Sequence, residues 1–139
     1  MWTRTSEYAL RAVIHLTQNC DDWPIPGNQI AEKAGIPSKY LSKVLGDLVR
    51  IGLLSSSRGK HGGFGLARSP KEIRLIDILE PFEQFEPRRC PFGNRLCSDE
   101  DPCIAHEEWK SIVESEEIFL RTKTVYDVAV KQERDETER

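Results

Sequence analysis

A chain of 139 residues with 38% hydrophobic and 31% charged side chains is the size of one domain, with a core that needs neither disulfides nor metal as its sole support. Its formal net charge of −3 hides an asymmetry: up to Arg68 nine Lys and Arg face five Asp and Glu (+4), and from Ser69 onward eleven face eighteen (−7). The basic half can meet phosphate and the acidic half stays away from it. No run of about 18 apolar residues is present, and the start MWTRTSEYALRAV lacks the regions of a signal peptide, so a cytoplasmic protein with no membrane partner is expected.

Thr5 or Ser6 is positioned to cap a first helix through about Asn19, with Ala9, Leu10, Val13, Ile14 and Leu16 at helical spacing. Asp21, Asp22, Pro24 and Pro26 break it. A short helix follows over Asn28 to Ala34, stopped by Gly35, and a longer one opens at Pro37 and runs to about Ile51 before Gly52. Two helices joined by a glycine-containing turn form a helix-turn-helix pattern. Leu53 to Ser57 and Gly63 to Ala67 read as strands around a turn at Arg58 to Gly62, a β-hairpin wing.

Ser69-Pro70 restarts helical structure, with Ile73, Ile76, Leu79 and Phe82 on one face through about Glu83. Pro87, Pro91, Gly93 and Pro102 then keep the chain as a loop. From Ile104 a long helix is expected to about Arg121, with Ala105, Trp109, Ile112, Glu116 and Phe119 in the spacing of a helix-packing seam. Thr124 and Asp127 mark another capped turn, and the polar tail is expected to fray. The fold class is therefore mainly α with a small β-hairpin wing, a winged helix-turn-helix plus a long C-terminal dimerisation helix. It divides into a DNA-binding part (1–83), a cysteine-rich loop (84–103), the dimerisation helix and terminal turn (104–131) and the tail (132–139).

Of four cysteines, Cys90, Cys97 and Cys103 fall within fourteen residues and Cys20 stands alone, read as a small buried residue. In a reducing compartment such a cluster points to metal or redox chemistry rather than to disulfides, and thiolates suit soft metals. His106 lies one helical turn beyond Cys103 and is a candidate fourth ligand, against the plainer reading of a surface helix residue. Asp99 is read as solvated. No Gly-rich phosphate loop and no nucleophile with a histidine partner is found, which argues against an enzyme.

Three stretches, EYALRAV (Glu7 to Val13), IPSKYLSKVLGDLVRIGLL (Ile36 to Leu54) and RGKHGGFGLAR (Arg58 to Arg68), together with the cysteine loop closely resemble the Rrf-two family of bacterial regulators. Its IscR and NsrR types carry iron-sulfur clusters. The likeness runs from about Trp2 to Val130, with two departures: Lys60-His61 stand where the family has Pro-Gly, and six rather than five residues separate Cys90 from Cys97.

The resemblance implies a homodimeric repressor or activator, a repressor by preference, that binds double-stranded operator DNA with an affinity set by a labile two-iron (2Fe-2S) or four-iron (4Fe-4S) cluster, sensing nitric oxide, redox state or iron-sulfur status. On that reading Ser38, Lys39, Ser42 and Lys43 meet the major groove. Tyr40 either packs in the core or reaches a phosphate. Asn28 and Gln29 join this surface, Arg58 enters the minor groove, and Lys60 and His61 add contacts beside the flexible Gly59, Gly62 and Gly63. Cys90, Cys97 and Cys103 hold the cluster. The fourth ligand is His106, as in the IscR type, or an acidic residue of the partner subunit at the position of Glu7, as in the NsrR type. Trp109, Ile112, Val113 and Phe119 form the dimer seam. A DNA-binding regulator with a structural zinc site or a thiol switch is the alternative.

Overall fold

The computed structural model describes residues 2–93 and 95–130; the tail at 132–139 lies outside them. Helix α1 (Arg4–Gln18) begins earlier than the spacing predicts, because Thr3, not Thr5 or Ser6, accepts the Ser6 N–H at its hydroxyl as N-cap. Ser6 is fully buried instead and donates to Glu83 Oε1 at 2.7 Å. The buried face of α1 is Tyr8, Ala9, Ala12, Val13 and Leu16, while Leu10 and Ile14 are only half-buried. A single 3-10 turn (Cys20–Asp22) follows, and it turns Cys20 out beyond the helix end, exposed rather than buried.

Helix α2 (Gly27–Ala34) lays Ile30 and Ala31 on α1 and closes at Gly35, whose φ of 68° is the left-handed conformation that glycine adopts without strain. Helix α3 (Ser38–Arg50) buries Leu41, Val44, Leu45 and Leu48, one stripe at 3-1-3 spacing. Strands β1 (Leu54–Ser57) and β2 (Gly63–Leu66) pair antiparallel, with Leu54 opposite Leu66 and Ser57 opposite Gly63. Ile25 extends this wing, exchanging backbone hydrogen bonds with Phe64 at 2.8 and 2.9 Å. A Cβ on Gly63 would stand 2.3 Å from the Ile25 carbonyl carbon, so this glycine is required by the wing's own packing.

The helix expected from Ser69 to Glu83 is shorter. Residues 70–72 form a turn, and α4 spans only Leu75–Leu79. The segment before it is drawn into extended pairing: Val125 N–H donates to Ile73 O and Leu75 N–H to Lys123 O, each at 2.9 Å. Helix α5 (His106–Thr122) starts two residues later than Ile104, which is almost wholly exposed. A further helical turn over 125–130 is capped reciprocally by Thr124 and Asp127, as their spacing predicts. One apolar cluster joins α1 to α4 and the wing, and the C-terminal segment enters it through Leu120 and Val125.

Candidate nucleic-acid interface and cysteine loop

With Leu41, Val44, Leu45 and Leu48 turned inward, helical periodicity leaves Ser38, Lys39, Tyr40, Ser42 and Lys43 exposed on the first two turns of α3. Tyr40 is 59% exposed, which corrects the expectation of core packing. Its ring lies 6.3 Å from that of Tyr8, tilted at 36°, so it joins the recognition helix to α1 from outside. Asn28, Ser38 and Ser42 line one shallow groove between the starts of α2 and α3. Ser42 Oγ donates back to Ser38 O at 3.2 Å and keeps its lone pairs for an outside donor.

At the wing tip Arg58, Lys60 and His61 are all exposed. Gly59 has φ 103° and makes the tight turn there. Gly62 and Gly63 are explained without DNA, since a Cβ on either would collide with the backbone of Ser57 or Ile25 at 2.3 Å. Gln29, Lys60 and His61 face a separate cavity shared with α1 and α2.

The cysteine loop folds back as a two-rung ladder. Cys90 N–H donates to Arg95 O and Cys97 N–H to Arg88 O, both at 2.8 Å, with Arg89 opposite Leu96. The chain at Cys90 thereby returns beside the chain at Cys97. Cys90 is buried, Cys103 half-buried and Cys97 exposed, and all are free thiols. The loop rests on α5 through Phe92, edge-on to Trp109 at 5.7 Å, and through Arg88, 3.6 Å from Glu117 and 4.0 Å from Glu116.

His106 opens α5 with its N–H donated to Cys103 O at 3.2 Å. It is 7% exposed, not a surface residue, and its Nε2 lies 2.8 Å from Asp99 Oδ1, which also accepts from Lys110 at 3.0 Å. Asp99 is thus a partnered group rather than a merely solvated one; Lys110 first and His106 second hold its carboxyl below the usual carboxylate range. Glu7 is exposed in the first turn of α1, and no hydrogen bond or ion pair among the described residues engages its carboxylate.

Among the described residues no three His, Cys, Asp or Glu side chains converge on a point where a single metal ion would sit. Three soft thiols on one loop nonetheless match the donor chemistry of iron-sulfur clusters, whose several irons take their ligands at separate corners. Trp109 Nε1 is a buried donor without a hydrogen-bond acceptor among the described residues, which is costly unless an acceptor reaches it, whereas Arg88 Nη2, also without a hydrogen bond, is offset by the carboxylates of Glu117 and Glu116.

The seam on α5 resolves into two faces. Trp109 meets Phe92, and Val113 lines the groove beneath Cys97 and Asp99, so both face the loop. Ile112 (58%), Ile118 (64%) and Phe119 (45%) stand open on other sides of the helix, a set that periodicity alone merges with Trp109. Sequence reasoning missed Glu83, which receives the Thr3 N–H and the Ser6 hydroxyl and so ties the end of the α4 region to the start of α1. Burial pushes its carboxyl up, but these hydrogen bonds outweigh that and leave it below the ordinary glutamate range. The contact spans 77 residues, and no local pattern announces it.

A tri-helical reader with an exposed polar recognition helix and a two-stranded wing defines a winged helix-turn-helix DNA-binding transcription regulator. The chain belongs to the Rrf2 (Rrf-two) family, whose model, described as an iron-dependent transcriptional regulator, matches residues 2–131. It is 31% identical to an HTH-type transcriptional regulator of Aquifex aeolicus over 92% of this chain and 90% of that protein. It is 29% identical to the HTH-type transcriptional regulator IscR of Klebsiella pneumoniae over 99% and 90%. The structure of T. potens IscR superposes with a TM-score of 0.76 at 27% identity, covering 97% of this chain and 90% of that one. CymR, the global cysteine regulator of B. subtilis, shares the fold, with a TM-score of 0.79 at 23% identity over 94% and 97%. These relatives are transcription regulators, not enzymes, and no helix among the described residues is long and apolar enough to cross a membrane.

Proposed function

We propose that this regulator acts in the bacterial cytoplasm as a homodimeric repressor whose affinity for operator DNA is set by an iron-sulfur cluster on the 84–103 loop. The observation that carries this reading is the ladder that returns Cys90 beside Cys97, with Cys103 three residues before α5, all three as free thiols. Cys90, Cys97 and Cys103 would hold the cluster. His106 through Nδ1, or Glu7 of the partner subunit, would complete it. When bound, the cluster supplies a redox-active group that nitric oxide, oxygen or iron shortage can remove, and a non-cysteine ligand leaves one corner labile.

The chain's own residues do the rest. Arg88 anchors the loop to α5 through Glu117 and Glu116, and Trp109 meets the loop at Phe92. His106, held by Asp99, fixes the start of α5 against Cys103. Ile112, Ile118 and Phe119 offer an apolar surface to a second copy, and Trp109 and Val113 support it from the loop side. The division into reader (1–83), loop (84–103) and dimerisation segment (104–131) follows these roles. Dimerisation sets the spacing of two recognition helices, about 34 to 36 Å for successive major grooves. Ser38, Lys39, Tyr40, Ser42 and Lys43 then read one groove with Asn28 and Gln29 beside them, while Arg58, Lys60 and His61 reach the flanking minor groove and backbone.

The test is an anaerobic ultraviolet-visible spectrum with iron, sulfide and zinc analysis, on wild type and Cys97→Ala. Visible absorption with iron and sulfide that disappears in the variant supports the cluster, and His106→Ala against Glu7→Ala then separates the fourth ligands. A colourless protein that takes up only zinc, or no metal, overturns the cluster and leaves a regulator with a zinc site or thiol switch.

A further inference from the structure

Away from the cysteine loop, a cavity of about 800 Å³ lies between the end of α1, the start of α2 and the wing tip, a size typical of small-ligand sites. Pro24, Ile25 and Pro26 form part of its lining, and His15, Gln29, Lys33, Lys60 and His61 supply its polar wall from three separate elements. Two lysines face it against a single carboxylate, Asp22. Pro26 caps α2 without a side-chain hydrogen bond, and the first turn of that helix carries no acidic residue to offset the lysines. Asn19 Nδ2 donates to His15 O at 2.8 Å and stands 3.4 Å from His15 Nδ1. Burial, and then the charge of Lys33, lower the proton affinity of His15, against a smaller opposing pull from Asp22.

We propose that this cavity binds a free, multiply charged oxyanion of the phosphate or polycarboxylate class, and that the bound anion draws Lys60 and His61 inward, away from DNA. The donors surround a concave space with a partly apolar lining, an arrangement that suits a compact anion better than a smooth duplex backbone. The regulatory half of the idea rests on the wing tip belonging to the DNA surface. The binding half does not.

The chain has three histidines, two in the cavity and His106 in the distant loop as an internal reference. Histidine side-chain NMR spectra of the full chain would be followed during titration with pyrophosphate and with citrate, ionic strength being held constant with chloride. Saturable shifts of His15 and His61 with His106 unmoved are expected, and Lys33→Ala should weaken binding about tenfold or more, the worth of one charge-assisted hydrogen bond. Absence of saturable shifts at millimolar anion overturns the proposal.

A second arm measures anisotropy of a labelled duplex recovered by selection from random sequence. In chloride, Lys33→Ala should bind it as wild type does. Added pyrophosphate at matched ionic strength should release DNA from wild type and much less from the variant. If instead Lys33→Ala loses DNA affinity with a salt slope lower by about 1 and free anions have no effect, the cavity receives a DNA phosphate and the small-ligand site is overturned. Failure of wild type to bind DNA in chloride would count against the DNA-binding reading, and the histidine spectra would still decide the cavity.

Discussion

Helices α1, α3 and α5 are of similar length, yet α1 buries six residues and α3 four, whereas α5 buries only His106 and Leu120. The reader shares one apolar core, while the loop and α5 are joined largely by a ring contact, the hydrogen bond between Asp99 and His106 and partly exposed ion pairs. Exposed ion pairs contribute little, about 1 kcal/mol at most, and a helix with few buried contacts opens easily. The contrast teaches where a switch can sit: a firmly packed reader keeps its groove-facing residues in place, and a loosely held loop and α5 take their arrangement from what binds them.

The sharpest way to break that contrast is to truncate one apolar side chain on each helix. Leu48→Ala, at a fully buried position on α3, should cost about 2–5 kcal/mol in denaturant unfolding followed by circular dichroism. Ile112→Ala on α5 should cost less than about 0.5 kcal/mol at protein concentrations where the chain is monomeric, and more where it self-associates. Equal losses in dilute solution would show that α5 is as firmly built in as α3.

Glu83 holds the reader itself together, tying the chain after α4 to the start of α1. Glu83→Gln keeps an acceptor for Ser6 and Thr3 but removes the charge, and should cost about 1 kcal/mol at pH 7, the difference between charged and neutral hydrogen bonds. Its folded carboxyl titrates below the ordinary glutamate value of about 4.3, so the charge stabilises fully above that pH. The contribution is lost as pH falls through the lowered folded value. Stability measured against pH should show wild type and variant converging in acid, and a gap that persists there would remove Glu83 as the link.

On the reader itself, Lys43→Ala should lower affinity for all duplexes alike and reduce the slope of log affinity against log salt by about 1, as loss of one phosphate contact does. The fold should be untouched, because Lys43 is exposed. A change confined to one sequence would make Lys43 a base-reading residue instead.

What sequence conveyed follows the range of the forces involved. The apolar stripe of α3, Gly35 at the end of α2, and the Thr124 and Asp127 cap are local patterns of three or four residues, and each forms as spacing predicts, while the stripe of α1 forms around Ala9, Val13 and Leu16 but leaves Leu10 and Ile14 half-buried. The shortened α4 depends on strand-like pairing of 73–75 with 123–125, about fifty residues away, which no periodicity reveals. Within the site, exposure of Ser38, Lys39, Ser42 and Lys43 is legible because the opposite face is plainly apolar. The split of the α5 seam is not legible, since Trp109 is apolar whether it meets a partner helix or Phe92 of its own loop.

The smallest effect concerns the latch on His106. Asp99 is exposed and contributes little to folding, but it accepts from Lys110 and pairs with His106 Nε2 at 2.8 Å, fixing which ring nitrogen is engaged in the metal-free chain. Asp99→Asn should leave the thermal midpoint where it was, because both partners sit at the mouth of the loop and water can replace the carboxylate. The His106 ring resonances should shift and lose their single tautomer, while those of His15 and His61 stay put. A drop in the thermal midpoint equal to that of a core substitution would mean that Asp99 holds the loop to α5, and that the second half of the molecule is less free to rearrange than its burial implies.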